Sequence, residues 1–295
     1  MYSLKYVSDN GNVVDFHPMG KYVITKTQGM MENSVKISTS QGMSQIGSYS
    51  QGQSVQSKSI VIEGAIKGVA ESAGRHLLNT IVPQMSGTLI YNDKIMLRVI
   101  PEITPKIEQY PTNPNFIFTV FAEYPYWQST DSVQTNVAGM EPRFRFPINY
   151  SNTYFEDPLT HMFGQRTKTF FTNIFNFGNV PAPFKIIFLA KTQLSNPMIT
   201  KVVDGLPFLK ISKDLVAGEK ITIDMTSDTL TVTTNLYGAE TDAFNFFDID
   251  STIFKLDVGD NLIRYDADVN RDGLECIISY NPTYTGAYGH DIAYI

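Results

Sequence analysis

Between Phe177 and Asp266 the sequence is a succession of short runs with the composition of β-strands. Phe184–Ala190 reads FKIIFLA, Lys220–Met225 reads KITIDM, Thr229–Thr233 reads TLTVT and Phe254–Asp257 reads FKLD. Turn residues separate these runs, as in Ala217-Gly218-Glu219. Short β-branched and aromatic runs with turns at this spacing are typical of antiparallel β-sandwiches, so the sequence predicts such a sandwich here.

The composition indicates a globular protein with about two domains. The chain has 295 residues, of which 42% are hydrophobic and 18% are charged, and this length exceeds that of a typical single domain. No apolar run approaches the roughly 18 residues that a membrane-spanning helix needs, and no secretory signal is visible at the N-terminus. Cys276 is the only cysteine, so an intrachain disulfide is excluded. We therefore expect synthesis in a reducing host cytoplasm and no membrane insertion.

The charges argue against a nucleic-acid-binding function. Residues 1–135 carry ten basic and ten acidic side chains, whereas residues 136–295 carry thirteen basic and nineteen acidic ones. The whole net charge of −6 therefore lies in the second half. No cluster of Lys and Arg is present of the kind that neutralises phosphates.

A polar stretch without periodicity, STDSVQTNVAG at residues 129–139, predicts a domain boundary near residue 135. The predicted domains are residues 1–135 and 136–295. The first is expected to hold the one convincing helix, over residues 71–82, which Pro83 ends. Five apolar residues recur there at the spacing of one helical face: Ala70, Ala73, Leu77, Leu78 and Ile81. The predicted fold class is therefore all-β with one helix.

Residues 38–59 form a second unusual stretch, which we predict to be an extended arm or long loop. Sixteen of its twenty-two residues are Ser, Gln or Gly, and only Lys58 is charged. Such a stretch buries too little apolar surface to order itself. Two interpretations stay open: a plain flexible loop, or an arm that orders against a neighbouring subunit. On the second interpretation the candidate interface residues are Gly42, Gln45, Tyr49, Gln53 and Gln56.

Several segments, in this order, resemble the distal tail protein family of long-tailed, non-contractile bacteriophages. In the second half they are FGNVPAPF at Phe177–Phe184, GEKITID at Gly218–Asp224 and FKLDVGDNLI at Phe254–Ile263. In the first half they run from IVIEGAI at Ile60–Ile66 to YPYW at Tyr124–Trp127. One order of elements across both halves is much harder to obtain by chance than any single motif.

The resemblance implies a structural virion protein at the distal end of the tail. It implies a sandwich-like N-terminal domain that forms a hexameric ring, and a galectin-like or jelly-roll C-terminal sandwich on the outside. The implied partners are further copies of the chain, the tail-tube protein and a tail-tip protein, with receptor-binding proteins or a cell-surface glycan as further candidates. DNA would only pass through the ring. The resemblance implies no enzymatic activity and no cofactor.

One local motif suggests a cation site. Asp268, Asn270 and Asp272, followed by Gly273, begin as calcium loops do. The bidentate Glu of such a loop is missing, because Ser279 stands at its position. The flanks also read as strands rather than helices. A hairpin turn rich in Asp, Asn and Gly needs no metal, and we therefore predict a plain turn.

Two functions from other classes remain as alternatives. A carbohydrate-binding module could attach a particle to the bacterial surface, with the aromatic run at residues 244–247 stacking on sugar rings. A glycoside hydrolase would use a pair of carboxylates such as Asp248 and Asp250. The sequence offers no means of keeping one of these acids protonated, and the four histidines are scattered. We therefore predict no catalytic residue.

Overall fold

The structure is a computed structural model, and it describes residues 3–43, 46–68, 70–108, 112–137, 140–142, 164–166, 170–203, 205–226 and 229–287. The chain divides into two compact units. The first contains the described residues of 1–132, 177–180 and 281–295, and the second contains those of 133–176 and 181–280. The described secondary structure is almost entirely β, with one α-helix, so the predicted fold class is confirmed.

The first unit begins with ten strands and the helix. They are β1 (Leu4–Ser8), β2 (Val13–Phe16), β3 (Tyr22–Gln28), β4 (Val35–Ser40), β5 (Tyr49–Val55), β6 (Lys58–Ile66), α1 (Ala70–Thr80), β7 (Gly87–Tyr91), β8 (Ile95–Ile107), β9 (Asn115–Ala122) and β10 (Trp127–Ser129).

Seven of these strands form a sheet that closes on itself. The order is β8-β7-β1-β2-β3-β6-β9, and β9 pairs back to β8. Only the short β2–β3 contact is parallel, through Phe16 and Tyr22. Alternate residues of β6, from Lys58 to Ile66, point into the interior. The sequence did not predict this closure. It is incomplete between β2 and β3, because β3 beyond Tyr22 pairs only with β6. We refer to the seven strands as the closed sheet.

Helix α1 packs against the closed sheet along one narrow stripe. Ala73, Leu77 and Ile81 are fully buried, and the Tyr22 hydroxyl donates to the Ala73 carbonyl at 2.9 Å. Leu78 was expected on the same face, but 47% of it is exposed. Adjacent helical residues lie about 100° apart, so one narrow stripe cannot bury both leucines. No helix in the described part of the chain is long and apolar enough to cross a membrane.

The second unit contains the remaining strands except one. They are β11 (Val133–Asn136), β12 (Met140–Pro142), β13 (Gly164–Arg166), β14 (Phe171–Asn176), β15 (Phe184–Ala190), β16 (Leu194–Lys201), β17 (Phe208–Lys210), β18 (Asp214–Leu215), β19 (Lys220–Asp224), β20 (Thr231–Leu236), β21 (Ala239–Asp242), β22 (Gly259–Val269) and β23 (Leu274–Tyr280), with 3-10 turns at Phe244–Phe246 and Arg271–Gly273.

Two antiparallel sheets of this unit enclose one apolar core. One sheet has the order β11-β23-β15-β19-β20-β21 and the other β14-β22-β16-β17. Phe188, Ile199 and Ile263 are fully buried members of the shared core. The strand predicted at Phe254–Asp257 is wrong, because Leu256 makes only an isolated bridge to Ala182 there. The predicted sandwich is otherwise the observed architecture of this unit.

The chain returns to the first unit after the second is complete. Strand β24 (Thr283–Tyr284) pairs with β10, which also pairs with β8. Tyr284 and Ala287 are buried in the core of the first unit. The predicted boundary near residue 135 assigns residues 177–180 and 281–295 to the second domain. In the structure, the described residues of both segments belong to the first unit. We refer to residues 281–287 as the return segment.

Candidate functional site: the arm and its root

The polar stretch folds into a β-hairpin that stands apart from the closed sheet. Strands β4 and β5 pair with each other from Val35↔Val55 to Ser40↔Tyr49, and they form a separate two-stranded sheet. We refer to residues 35–55 as the arm. An isolated two-stranded hairpin is at best marginally stable in water, so the arm needs further contacts to be held in one conformation.

Nearly every described residue of the arm is exposed, including its apolar side chains. Ile37 is 57% exposed, Tyr49 is 68% exposed, and Met43 and Ile46 near the tip are fully exposed. Exposed apolar side chains grouped on one element mark contact sites for other molecules. The only charged side chain between residues 35 and 55 is Lys36. The arm thus offers a long, nearly uncharged surface.

A bulge distributes the predicted interface residues over both faces of the arm. The register shifts between Ser38 and Thr39, leaving Gln51 without a partner in the pairing. Gln53 lies opposite Ile37, whereas Tyr49 lies opposite Ser40. Because residues 37 and 40 of one strand point to opposite faces, Gln53 and Tyr49 do so as well.

The other predicted interface residues fall at the tip and at the base. Gly42 lies in the exposed tip and Gln56 at the base, where the Gln56 N–H donates to the Ser34 carbonyl at 2.9 Å. Gln45 lies outside the described residues. A flat partner could therefore touch only part of the predicted set, and a partner that encloses the arm could touch all of the described members.

Two short segments, residues 29–34 and 56–58, connect the arm to the closed sheet, and we refer to them as the arm root. Gly29 adopts a positive φ of 80°, and a Cβ atom there would lie 2.3 Å from the Ser59 carbonyl oxygen. Only glycine fits this position. The indole N–H of the fully buried Trp127 donates to the Met30 carbonyl at 3.0 Å. The first segment of the root is thereby tied to the core of the first unit.

Lys58 is the buried charge of the root. It is 7% exposed, and its Nζ lies 5.9 Å from the centre of the Trp127 ring, within the range of a cation–π interaction. Nζ also donates to Asn33 Oδ1 at 3.2 Å. Burial lowers the pKa of Lys58 from its ordinary value of 10.5 to about 8, although Glu32 favours the charged form. A buried ammonium is costly, so the root contains an energetically expensive group.

The return segment completes the root. Asn33 Nδ2 donates to the Thr285 carbonyl at 2.6 Å across 252 residues of sequence. A Cβ atom on Gly286 would lie 2.5 Å from the Met31 carbonyl oxygen, so the two backbones pass in direct contact. Asn179 fixes the return segment itself: its Oδ1 accepts from the Thr285 N–H at 2.9 Å and its N–H donates to the Thr283 carbonyl at 3.0 Å.

Sequence reasoning found the arm but missed its root. Lys58 had one signal, since it is the only charge in residues 38–59. Asn33 and Thr285 had none, because their contact joins the beginning of the chain to its end. Trp127 was noticed only as part of the YPYW motif.

The predicted cation turn lies at the junction of β22 and β23. Asp268 Oδ2 accepts from Asn196 Nδ2 at 2.8 Å and from Lys210 Nζ at 3.0 Å, and these two bonds lower the pKa of Asp268. Asn270 Nδ2 donates to the Gln193 carbonyl at 2.7 Å. Asp272 is exposed. Two protein donors thus occupy Asp268 Oδ2, one of the oxygens that a cation would need, and no group of three metal-binding side chains occurs among the described residues.

The carboxylates considered for glycoside hydrolysis have local structural roles. Asp248 Oδ2 accepts from the Ser212 hydroxyl at 2.9 Å, and Asp248 Oδ1 accepts from the Asp250 N–H at 2.9 Å. Asp248 therefore closes a turn of the kind that aspartates commonly stabilise. In the neighbouring aromatic run, Phe244 stacks on Phe247 with 6.1 Å between ring centres, and Phe246 packs against the core.

Comparisons with known proteins agree with the fold and with the sequence motifs. Over residues 177–284 the chain matches the family described as siphovirus-type tail component, C-terminal domain. The fold is similar to the crystal structure of Dit from phage SPP1, with a TM-score of 0.66 and 10% identity, covering 95% of this chain and 98% of that one. That protein is described as a paradigm of the hub of the adsorption apparatus in phages that infect Gram-positive bacteria.

A second similar structure comes from the baseplate of phage P2 in its activated conformation with calcium. The TM-score is 0.55 at 12% identity, covering 97% of this chain and all of the other. The comparison with curated proteins gives no match. The family match includes the second-half segments that carry the resemblance in the sequence, from Phe177 through Ile263. The predicted resemblance is thus confirmed: over residues 177–284 the chain matches the C-terminal domain of siphovirus-type tail components.

Proposed function

We propose that the protein is a non-enzymatic structural component at the distal end of the tail of a long-tailed, non-contractile phage. Copies of the chain would form a hexameric ring that joins the tail tube to the tail-tip apparatus. The ring would be built from the first unit, with the second unit directed outward. The family match over residues 177–284 supports the tail-component role, and a fold similarity that spans nearly both whole chains supports a common architecture.

The observation that carries the ring assembly is the exposed arm. A closed ring needs a heterologous interface, in which one surface of a subunit meets a different surface of the next. Most strand edges of the closed sheet are already paired within the subunit, and the main exception is the part of β3 beyond Tyr22, which pairs with β6 alone. The arm, with exposed Ile37, Met43 and Ile46, is the element that can reach a neighbour. Burial against that neighbour would offset the entropy of ordering it.

The low charge of the first unit is compatible with DNA passage. Residues 1–135 have equal numbers of basic and acidic side chains. Dense Lys and Arg contacts to phosphate would retain DNA, so we propose a lumen without basic patches. The tail-tube protein and a tail-tip protein would contact the two faces of the ring.

The test is a variant without the arm. Val35 and Val55 are paired across the base of the hairpin, so replacing residues 36–54 by Asn-Gly should close it with a two-residue turn. A deletion of residues 42–56 would instead remove β5 and leave β4 without its partner. The expected result is a folded monomer with unchanged circular dichroism that no longer forms rings in electron micrographs.

The outcomes separate the proposed function from its alternatives. Monomers only, for the intact chain at high concentration with its tail-tube neighbour present, would overturn the ring. Rings formed by the armless variant would show that another surface assembles them. Binding on a glycan array without any ring would favour the carbohydrate-binding module instead.

A further inference from the structure

We propose that Asn33 is a positioning residue that links Lys58 to the Thr285 carbonyl and so fixes the direction in which the arm leaves the closed sheet. This inference rests on the proposed role of the arm in assembly. It assigns control of that role to three residues outside the arm, one of which is in the return segment.

The chemistry of the three groups requires an amide between them. The Lys58 ammonium can only donate hydrogen bonds and the Thr285 carbonyl can only accept them. Asn33 presents its oxygen to the first at 3.2 Å and its NH₂ group to the second at 2.6 Å. A carboxylate would satisfy the ammonium but repel the carbonyl. A hydrophobic side chain would leave both groups without this partner.

The root joins the arm to the closed sheet, so its contacts bear directly on the direction of the arm. Within the described residues, strands β4 and β5 pair only with each other. Two tethers hold the segment before β4 beside the Asn33 link. Trp127 holds the Met30 carbonyl, and the backbone of Gly286 passes directly against that of Met31. The strand after the arm starts at Lys58. Asn33 therefore bridges both segments of the root to the return segment.

This arrangement would lower the entropy that the arm loses on docking. A hairpin held at its root samples fewer directions than one on free linkers, so more of the contact energy with a neighbour appears as affinity. A role in stability alone would not change the directions that the arm samples. Measuring those directions therefore distinguishes positioning from simple stabilisation.

The experiment compares two variants that break the root with one control in the arm. Asn33→Asp retains the acceptor for Lys58 and loses the donor to Thr285. Gly286→Ala places a methyl group against the Met31 carbonyl. The control Gly52→Ala adds the same methyl group in the arm, where nothing lies within 4 Å.

Arm direction is measured on the monomer by electron spin resonance. Spin labels are attached at Gln51→Cys in the arm and Lys94→Cys on an exposed turn of the first unit. The native Cys276 is fully buried and burial raises the pKa of its thiol, so labelling is selective. We expect both root variants to broaden the distance distribution and the control to leave it unchanged. The protein concentration at half assembly should rise about tenfold, because an arm that samples more directions loses more entropy on docking.

The results can contradict this inference without contradicting the proposed function, and the reverse. If both root variants keep the narrow distribution of the wild type, Asn33 does not position the arm, whether or not rings form. If the distribution broadens but half assembly is unchanged, positioning is irrelevant to assembly and the inference also fails. If the wild type forms no ring, the proposed function fails, while the distances still decide whether Asn33 fixes the arm. Should Asn33→Asp prove unfolded by circular dichroism, Asn33→Ala, which removes both hydrogen bonds without adding a charge, replaces it in the comparison.

Discussion

Strands β5 and β6 are neighbours in sequence, but the first is exposed and the second is half buried in the core. All seven residues of β5 (Tyr49–Val55) are exposed, whereas every second residue of β6 (Lys58–Ile66) is buried in the closed sheet. In β6, isoleucines at positions 60, 62 and 66 face inward. In β5, Ser, Gln and Gly occupy five of the seven positions. The buried side chains of β6 thus stabilise it within the subunit, whereas β5 has no such burial and would need a partner molecule to be stabilised in the same way.

The largest expected effect is a difference in stability between two Ile→Ala substitutions, one in β6 and one in the arm. Ile62→Ala removes a fully buried side chain and should destabilise the first unit by roughly 2–5 kcal/mol. Ile37→Ala in the arm removes a largely exposed one and should change stability by less than about 0.5 kcal/mol. Urea denaturation of the monomers measures both. Similar losses for the two variants would mean that the arm is part of the folded core.

Assembly should reverse this ranking for the arm. Ile37→Ala is expected to weaken ring formation although the monomer is unaffected, because the exposed side chain would be buried only against a neighbour. Sedimentation of the intact protein over a range of concentrations measures the change. Leu78→Ala is the matched control, since Leu78 is exposed to a similar degree on helix α1.

A smaller effect concerns the residue where the two strands meet. The pKa of Lys58 falls from 10.5 to about 8 on folding, so between those pH values the unfolded chain binds the extra proton. Stability therefore rises with pH through this window, and the penalty is fully present below pH 8. Lys58→Met should be more stable than the wild type at pH 7 by about 1–3 kcal/mol. This advantage should shrink towards pH 10.5.

The difference in unfolding free energy between the wild type and Lys58→Met separates the titration of Lys58 from that of other groups that titrate at high pH. Tyr6, for example, has its pKa raised by burial to about 12, and it contributes equally to both. Denaturation at a series of pH values gives the difference. A constant difference from pH 7 to 10.5 would show that Lys58 is not buried as a charge.

A spectroscopic effect should follow the same titration. Trp127 is the only tryptophan, and the Lys58 ammonium lies 5.9 Å from its ring centre. Its fluorescence should change with a midpoint near pH 8 in the wild type, and Lys58→Met should abolish the transition. A transition that persists in Lys58→Met would assign it to another group.

Last, we expect a chelator to have no effect on stability. The prediction concerns the turn at residues 268–273, whose polar groups bond to other residues of the second unit. Asp268 and Asn270 bond to Lys210, Asn196 and Gln193. A chelator should therefore leave the melting curve unchanged, since only a ligand bound to the native state raises its stability. A drop of several degrees, reproduced by Asp272→Ala, would establish a cation site.

The sequence predicts elements well where alternation and pairing coincide. Strand β15 has the predicted bounds, Phe184–Ala190, because its apolar run pairs with β23 along its whole length. At Phe254–Asp257 an alternating pattern misled: Phe254 and Leu256 are buried, but the backbone makes only one bridge there. Alternation reports burial, and hydrogen-bonded pairing depends on which strand lies alongside.

Part of the candidate site can be predicted from local sequence, and part depends on contacts between residues far apart in the chain. The arm follows from local composition alone, since residues 38–59 lack the apolar residues needed for a core. The link from Asn33 to Thr285 depends on a contact across 252 residues, for which neither residue carries a compositional signal. The closure of the sheet through β8 and β9 is likewise a property of strand order that composition does not encode.

The return segment determines when, during synthesis of the chain, the arm root can form. A ribosome makes residues 29–58 early, but it makes Thr285 and Gly286, which complete the arm root, only after the whole second unit. Domains of a nascent chain generally fold in order as they emerge, yet this root cannot close until the second unit has been translated. Nascent chains on one messenger therefore carry incompletely fixed arms, and we expect ring formation to favour finished subunits over truncated ones.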